Sequence, residues 1–288
     1  MIKIREALPD IFERPYAVID PSTKAQIAMC LLAFHEMDAL PVGFTVGKRK
    51  YVISGYSCLS RLLQTAPVDY ARFLDKPSQA LCFELATVPA EGDLESLLEV
   101  FEKTRFGFAW VEDVKHSNFG ALASLRDLLP LFSKSIISTD MSVGEVATSP
   151  IFSLSKETSL KQALNEMIER KVRRVLISET QKIVSDRQII DYVFRISKLD
   201  EAGRNPSTLL DADFGDLESV RLQRISSRTK INKAAAALYA KGGRGGCLIC
   251  EEGVVTPWDV IMKPWRKERL AISESVMDRE LLPVKLHK

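Results

Sequence analysis

One pattern recurs four times along these 288 residues: a short strand, a helix with a single apolar stripe, two more strands, and a closing helix. The third quarter shows it most plainly. Ile151-Phe152-Ser153-Leu154 reads as a strand, and Thr158 or Ser159 can cap the helix that follows, with Gln162 at the reciprocal capping-box position after Ser159. Apolar residues at 160, 163, 164, 167 and 168 form one helical stripe. Arg173-Arg174 then leads into Val175-Leu176-Ile177, and Lys182-Ile183-Val184-Ser185 runs into a helix over Asp186 to Phe194.

The other quarters repeat this order. The last has the stripe Ile231, Ala234, Ala235, Leu238 and Tyr239, the strands 247–250 and 253–256, and a helix from Pro257. The second has Leu94, Leu97, Leu98 and Phe101, strands over 108–111 and 120–123, and a helix from Ser124. In the first, Ala25, Ala28, Met29, Leu32 and Ala33 precede a hairpin over 42–54 that turns at 47–50, with a helix starting near Ser57. The hydroxyl residues that end the final strands, Ser57, Ser124, Ser185 and Thr256, are 67, 61 and 71 apart. Breaks at 64–77, 133–142 and 197–216 give units over 1–66, 67–134, 138–200 and 206–263, with a charged tail over 264–288.

The totals narrow the function classes. Apolar residues make up 46% and charged residues 27%, a globular mix. The apolar stretch Ala25 to Phe34 is about half of a membrane span, and the N-terminus has no apolar run of signal-peptide length, so a cytoplasmic protein with no membrane partner is expected. Five scattered cysteines fit buried thiols in a reducing compartment better than a disulfide framework. Net charge is +2, which gives no global pull toward nucleic acid. The halves differ, however. Residues 1–143 carry 15 Lys and Arg against 18 Asp and Glu, and residues 144–288 carry 25 against 20. An anionic ligand would favour the second half, although a solvated surface gives the same asymmetry.

The repeating unit resembles the cystathionine β-synthase (CBS) domain, which has a βαββα order and pairs through its sheets into Bateman modules. Four in one chain are similar to the γ subunit of AMP-activated protein kinase and stand-alone archaeal relatives. The resemblance implies an α+β fold of four CBS-type repeats arranged as two tandem Bateman modules. It also implies a non-catalytic regulatory protein that binds AMP, ADP or ATP in the cleft between repeats three and four, with no cofactor. Two signatures carry it: an arginine at the turn into the second strand, and a strand-end Gly-x-x-Thr/Ser-x-x-Asp opening the last helix.

In the last unit Gly253-Val254-Val255-Thr256-Pro257-Trp258-Asp259 supplies the second signature. Thr256 is the expected phosphate ligand at a helix N-terminus, Asp259 the expected ribose ligand, and Gly253 the residue that lets backbone come close. Thr-Pro-x-Asp is also a good helix start in its own right. Ser124 with Asp127 keeps both groups in the second unit. Ser185 is followed by Gln188 in the third, and Ser57 lacks a carboxylate three residues on. Arginine stands at the turn as Arg173, Arg174 and Arg244, whereas the first unit offers Asp38, which would repel phosphate. The second module is therefore the expected nucleotide binder, with Val220 to Ile225 walling the adenine, and the first is expected to be structural.

Other signals point elsewhere. Cys247-x-x-Cys250 has metal-ligand spacing but no second pair, and lies on a strand where positions three apart face opposite ways. Gly242 to Gly246 lacks the Lys-Ser/Thr of a P-loop. Histidines 35, 116 and 287 have no nucleophile in register, so no enzyme is expected. Basic clusters at 48–50 and at Lys263, Arg266, Lys267 and Arg269 offer the alternative of a nucleic-acid-binding or scaffolding protein. The tail either docks on the body or joins a second copy in a homodimer. A protein effector, not identified by the sequence, would read the state of the site.

Overall fold

A computed structural model describes residues 2–14, 18–34, 38–46, 49–64, 70–113, 120–195, 210–240, 246–268 and 271–272. Its strands follow one plan. In the second quarter Thr87–Pro89 runs parallel to Phe108–Glu112, which is antiparallel to Gly120–Ser124. In the third, Ser153–Leu154 is parallel to Arg174–Ile177, itself antiparallel to Lys182–Ser185. In the last, Gln223–Arg224 is parallel to Leu248–Ile249, and Val254–Val255 returns antiparallel. Parallel neighbours cannot be joined by a tight turn, so a helix makes each crossover: Leu94–Thr104, Leu160–Glu169 and Ile231–Ala240. The first quarter pairs Ala39–Val46 with Arg49–Ser54 behind the helix Ala25–Phe34, and a parallel bridge from Ile19 to Val42 stands for the leading strand. The fold is α+β.

Two connectors serve two sheets each. Phe83–Leu85 adds an antiparallel edge to the first sheet before Thr87–Pro89 enters the second. Val220–Arg221 does the same for the third sheet before Gln223–Arg224 enters the fourth. Consecutive sheets are thereby held by a single extended segment.

The strand-end hydroxyls have a local cause. Ser124 N donates to Asp127 Oδ2 at 2.7 Å, Ser185 N to Gln188 Oε1 at 3.0 Å, and Thr256 N to Asp259 Oδ2 at 2.8 Å. These are capping boxes that satisfy the free amides of the closing helices Leu125–Ser133, Asp186–Phe194 and Pro257–Glu268. The first unit corrects the expected alignment. Its strand ends at Ser54 and its helix is Gly55–Gln64. Ser54 N donates to Ser57 Oγ at 3.0 Å, so Ser57 holds the place of the carboxylate and Ser54 that of the hydroxyl.

Burial ties the units into a ring. The first and second sheets meet across Ala39, Val52, Leu85, Phe108 and Trp110, and the third and fourth across Ile183, Leu222, Cys247 and Val254. On the helical side, Met29 and Leu62 of the first unit share a core with Leu164 and Ile190 of the third. Leu128 and Phe132 of the second share another with Leu238 and Ile261 of the fourth. Short helices at Ile4–Ala7 and Asp10–Glu13, too brief for a readable stripe, bury Ile4 and Ile11 in that second core. In the tail, Ala271–Ile272 pairs with Ile137–Ser138, so this stretch docks on the body. Residues 269–270 and 273–288 lie outside the described residues.

Leu164 and Leu128 are fully buried in different helical cores. Replacing either by alanine is expected to cost about 2–5 kcal/mol in urea unfolding. The two losses should add in the double variant to within about 0.5 kcal/mol.

Candidate functional site

The units leave a cavity of about 620 Å³ where they converge. The third unit supplies 170–174, Leu176, Ile183 and the entry segment 150–152. The fourth supplies Gly246, Val254 and the helix start 256–259, the second Arg105, Phe106, Gly107, Leu125 and Arg126, and the first Asp38. The walls therefore come mainly from the expected cleft between the third and fourth units, and the second unit closes it.

The lining is strongly cationic. Arg105, Arg126, Arg170, Lys171, Arg173, Arg174 and Arg187 face it, against the carboxylates of Asp38 and Asp259. Some of these cations are already engaged. Arg170 Nε binds Glu166 at 2.8 Å, and Arg105 lies 5.5 Å from the Trp258 ring centroid. Arg173 Nε binds Asp186 Oδ2 at 2.8 Å. Asp38 Oδ1 accepts from Arg187 Nη2 at 3.0 Å and from Arg173 Nη2 at 3.2 Å. Among the described residues, Arg126, Lys171 and Arg174 have no ion-pair partner.

Burial opposes the charge on Asp38, but the guanidiniums of Arg187, Arg173 and Arg174 outweigh it and hold its carboxyl far below the usual carboxylate range. Burial likewise opposes the charge on Arg173, and Asp186 and Asp38 overcome it, pushing its pKa above the ordinary arginine value. Since the Asp38 pKa is depressed, its stabilising contribution is complete above the unfolded carboxylate value and is lost only as pH falls through the lower folded one. Gly55 matters here because a Cβ on it would lie 2.8 Å from Asp186 Oδ2. Glycine lets the closing helices of the first and third units start side by side.

Thr256, Asp259, Arg173 and Arg174 all line the cavity. Asp259 is 2% exposed and richly bonded. Its Oδ2 accepts from Thr256 N and from Thr256 Oγ1 at 2.7 Å. Its Oδ1 accepts from Thr148 Oγ1 at 2.6 Å and pairs with Lys263 at 2.8 Å. Four donors use the acceptor capacity of a carboxylate. Ser124, Asp127, Ser185 and Gly253 are not part of the lining. Asp127 instead binds Arg14 at 2.5 Å, and a Cβ on Gly253 would overlap the Thr148 carbonyl oxygen, so the close approach there is to the chain itself. Arg244 lies outside the described residues.

Val220 to Ile225 is a correction. It is divided between two sheets and contributes nothing to the lining, because its backbone is used as the shared connector. The apolar wall comes instead from Ile151, Phe152, Val172, Leu176, Ile183 and Val254. Sequence reasoning also missed Arg126, which sits inside the Ser124–Asp127 motif and faces the cavity. Asp38, expected at the turn of the first unit, reaches across to the third, where it pairs with Arg173 and Arg187.

Between the first and second sheets the contact is aromatic. The Phe83 and Phe106 rings are 4.7 Å apart, and those of Phe106 and Phe108 5.6 Å. Cys247 packs between the third and fourth sheets while Cys250 packs toward the helices, so the pair is divided across its sheet. Among the described residues no group of three side chains could hold a metal, and no helix is long and apolar enough to cross a membrane. Three described members of the basic clusters have partners within the chain, and Lys48 and Arg269 lie outside the described residues. Lys263 Nζ donates to the Val146 carbonyl at 2.7 Å, Arg266 Nε to Glu102 at 2.7 Å, and Arg49 pairs with Glu84 at 3.3 Å.

Residues 143–195 match the CBS domain family. That segment, most of the third unit, is a CBS domain by sequence. The fold of the whole chain is similar to the crystal structure of a Methanocaldococcus jannaschii protein proposed to be an archaeal homologue of γ-AMPK. The TM-score is 0.77 at 15% identity, covering 92% of this chain and all of that one. A curated relative from Thermofilum pendens, described as an uncharacterized 33.4 kDa protein in a ribosomal RNA operon, is 26% identical over 186 residues. That match spans 61% of this chain and 60% of the relative's length.

Asp259→Asn would keep the side chain's shape but leave Lys263 without its carboxylate. Urea unfolding should show a loss of about 1–3 kcal/mol.

Proposed function

We propose that this CBS-domain protein is a non-catalytic regulator that binds an adenine nucleotide reversibly in the cavity between its third and fourth units. The carrying observation is the lining itself: among the described residues, seven cationic side chains against two carboxylates, beside an apolar wall. Its volume of about 620 Å³ falls within the range usual for small-molecule sites, about 300–1,000 Å³. Those properties suit a ligand with a flat apolar ring at one end and phosphate at the other.

In this reading the adenine lies against Ile151, Phe152 and Leu176, and phosphate meets Arg173, Arg174 and Lys171, with Arg126 facing them from the second unit. Arg244, two residues before Gly246 on the cavity wall, is assigned to phosphate as well. Thr256 offers a helix N-terminus to the same region. A ribose diol reaches Asp259 only by displacing the Thr148 hydroxyl or Lys263, so Asp259 serves chiefly to hold Thr256 in place. Ser124, Asp127, Ser185 and Gly253 are assigned to helix starts and strand packing. Because walls from different units close on one ligand, occupancy would bias their relative placement, and a protein effector would read that bias.

Calorimetric titration of the full chain with AMP, ADP and ATP tests this. Saturable binding is expected, weakened about tenfold or more by Arg174→Gln, which removes a cation that has no ion pair among the described residues. No binding at millimolar nucleotide, or full affinity in Arg174→Gln, would overturn the proposal.

A further inference from the structure

Among the described residues, Asp38 is the one carboxylate that the first unit sends into this cavity. It precedes the strand Ala39–Val46, yet its ion pairs are with Arg173 and Arg187 of the third unit. Both contacts end on a single oxygen, Oδ1, so neither is the two-pronged fork in which arginine holds a carboxylate best. Arg174 adds its field to the same carboxylate from close by, without an ion pair of its own. Three guanidiniums thus surround one anion that satisfies two of them through one atom. A phosphate brings three oxygens and more charge, and could meet all three. The Asp38 and Arg187 side chains are 23% and 17% exposed, so they are neither sealed in the interior nor freely solvated. Removing the carboxylate leaves Arg173 its pair with Asp186 but takes one negative charge out of a partly desolvated cluster of three guanidiniums, a change that favours an external anion.

We propose that Asp38 is a built-in counter-anion that holds the phosphate position of the cavity and that a ligand's phosphate must displace. This rests on the anion-binding reading of the cavity and adds a regulatory contact to it. Asp38 belongs to the first unit and its partners to the third, so its displacement releases an electrostatic tie across the seam between them. Ligand binding is thereby coupled to a unit that contributes little else to the lining.

The test compares the intact chain with Asp38→Asn by calorimetry, using inorganic tripolyphosphate and ATP as separate probes. Asp38→Asn should bind tripolyphosphate about tenfold tighter or more. Equal or weaker binding overturns the inference, as does failure of the variant to bind either probe. Tighter tripolyphosphate binding with no ATP binding in either protein supports the counter-anion and overturns the nucleotide reading alone. Should Asp38→Asn not fold, the comparison moves to Arg187→Gln with and without Asp38→Asn, where the net charge of the cluster is restored. Tighter tripolyphosphate binding by the double variant supports the inference, and equal affinity overturns it.

Discussion

Each unit has two apolar surfaces, the face of a small sheet and the stripe of its helices, and cannot bury both by itself. That requirement organises the molecule. Sheet faces are covered by the consecutive unit, through Phe108 and Trp110 in one pair and Ile183 and Val254 in the other. Helical stripes are covered by the unit two places along, through Leu62 with Leu164 and Phe132 with Leu238. Four units that each satisfy two neighbours close on themselves. The shared connectors at 83–89 and 220–224 keep consecutive sheets from drifting apart.

A closed ring concentrates its unfilled space and its charge where the corners meet. The cavity gathers arginines from the second and third units around a helix start from the fourth. Such a cluster would be self-repelling if left alone. Asp38 and Asp186 temper it from within, and both are coupled to Arg173. The first pair of units brings phenylalanine rings together at its sheet contact, and one of them, Phe106, also reaches the cavity.

Much of the fold was legible because helical stripes and strand-end hydroxyls are local signals. Ser159 caps its helix through Gln162 N at 3.3 Å, and the helix Asp186–Phe194 has the bounds its pattern gives. The first unit was misaligned by three residues because Ser54 and Ser57 both carry hydroxyls, and only the backbone hydrogen bond distinguishes them. In the candidate site, Arg173, Arg174 and Thr256 were legible and do face one cavity. The surroundings of Asp259 were not, since Thr148 lies 111 residues away in sequence. Neither was Arg126, whose orientation depends on how the second unit packs against the fourth.

The sequence by itself determined the repeating unit, the caps that start its helices and the excess of positive charge in its second half. Those properties depend on neighbours within a few residues, or on simple sums. Tertiary structure alone decided which units face each other, which cleft stays open, and that a carboxylate from the first unit lies among the arginines of the third. The physical reason is that these contacts join residues more than a hundred positions apart, as Asp38 and Arg173 are, and are set by the burial of apolar faces rather than by any local pattern.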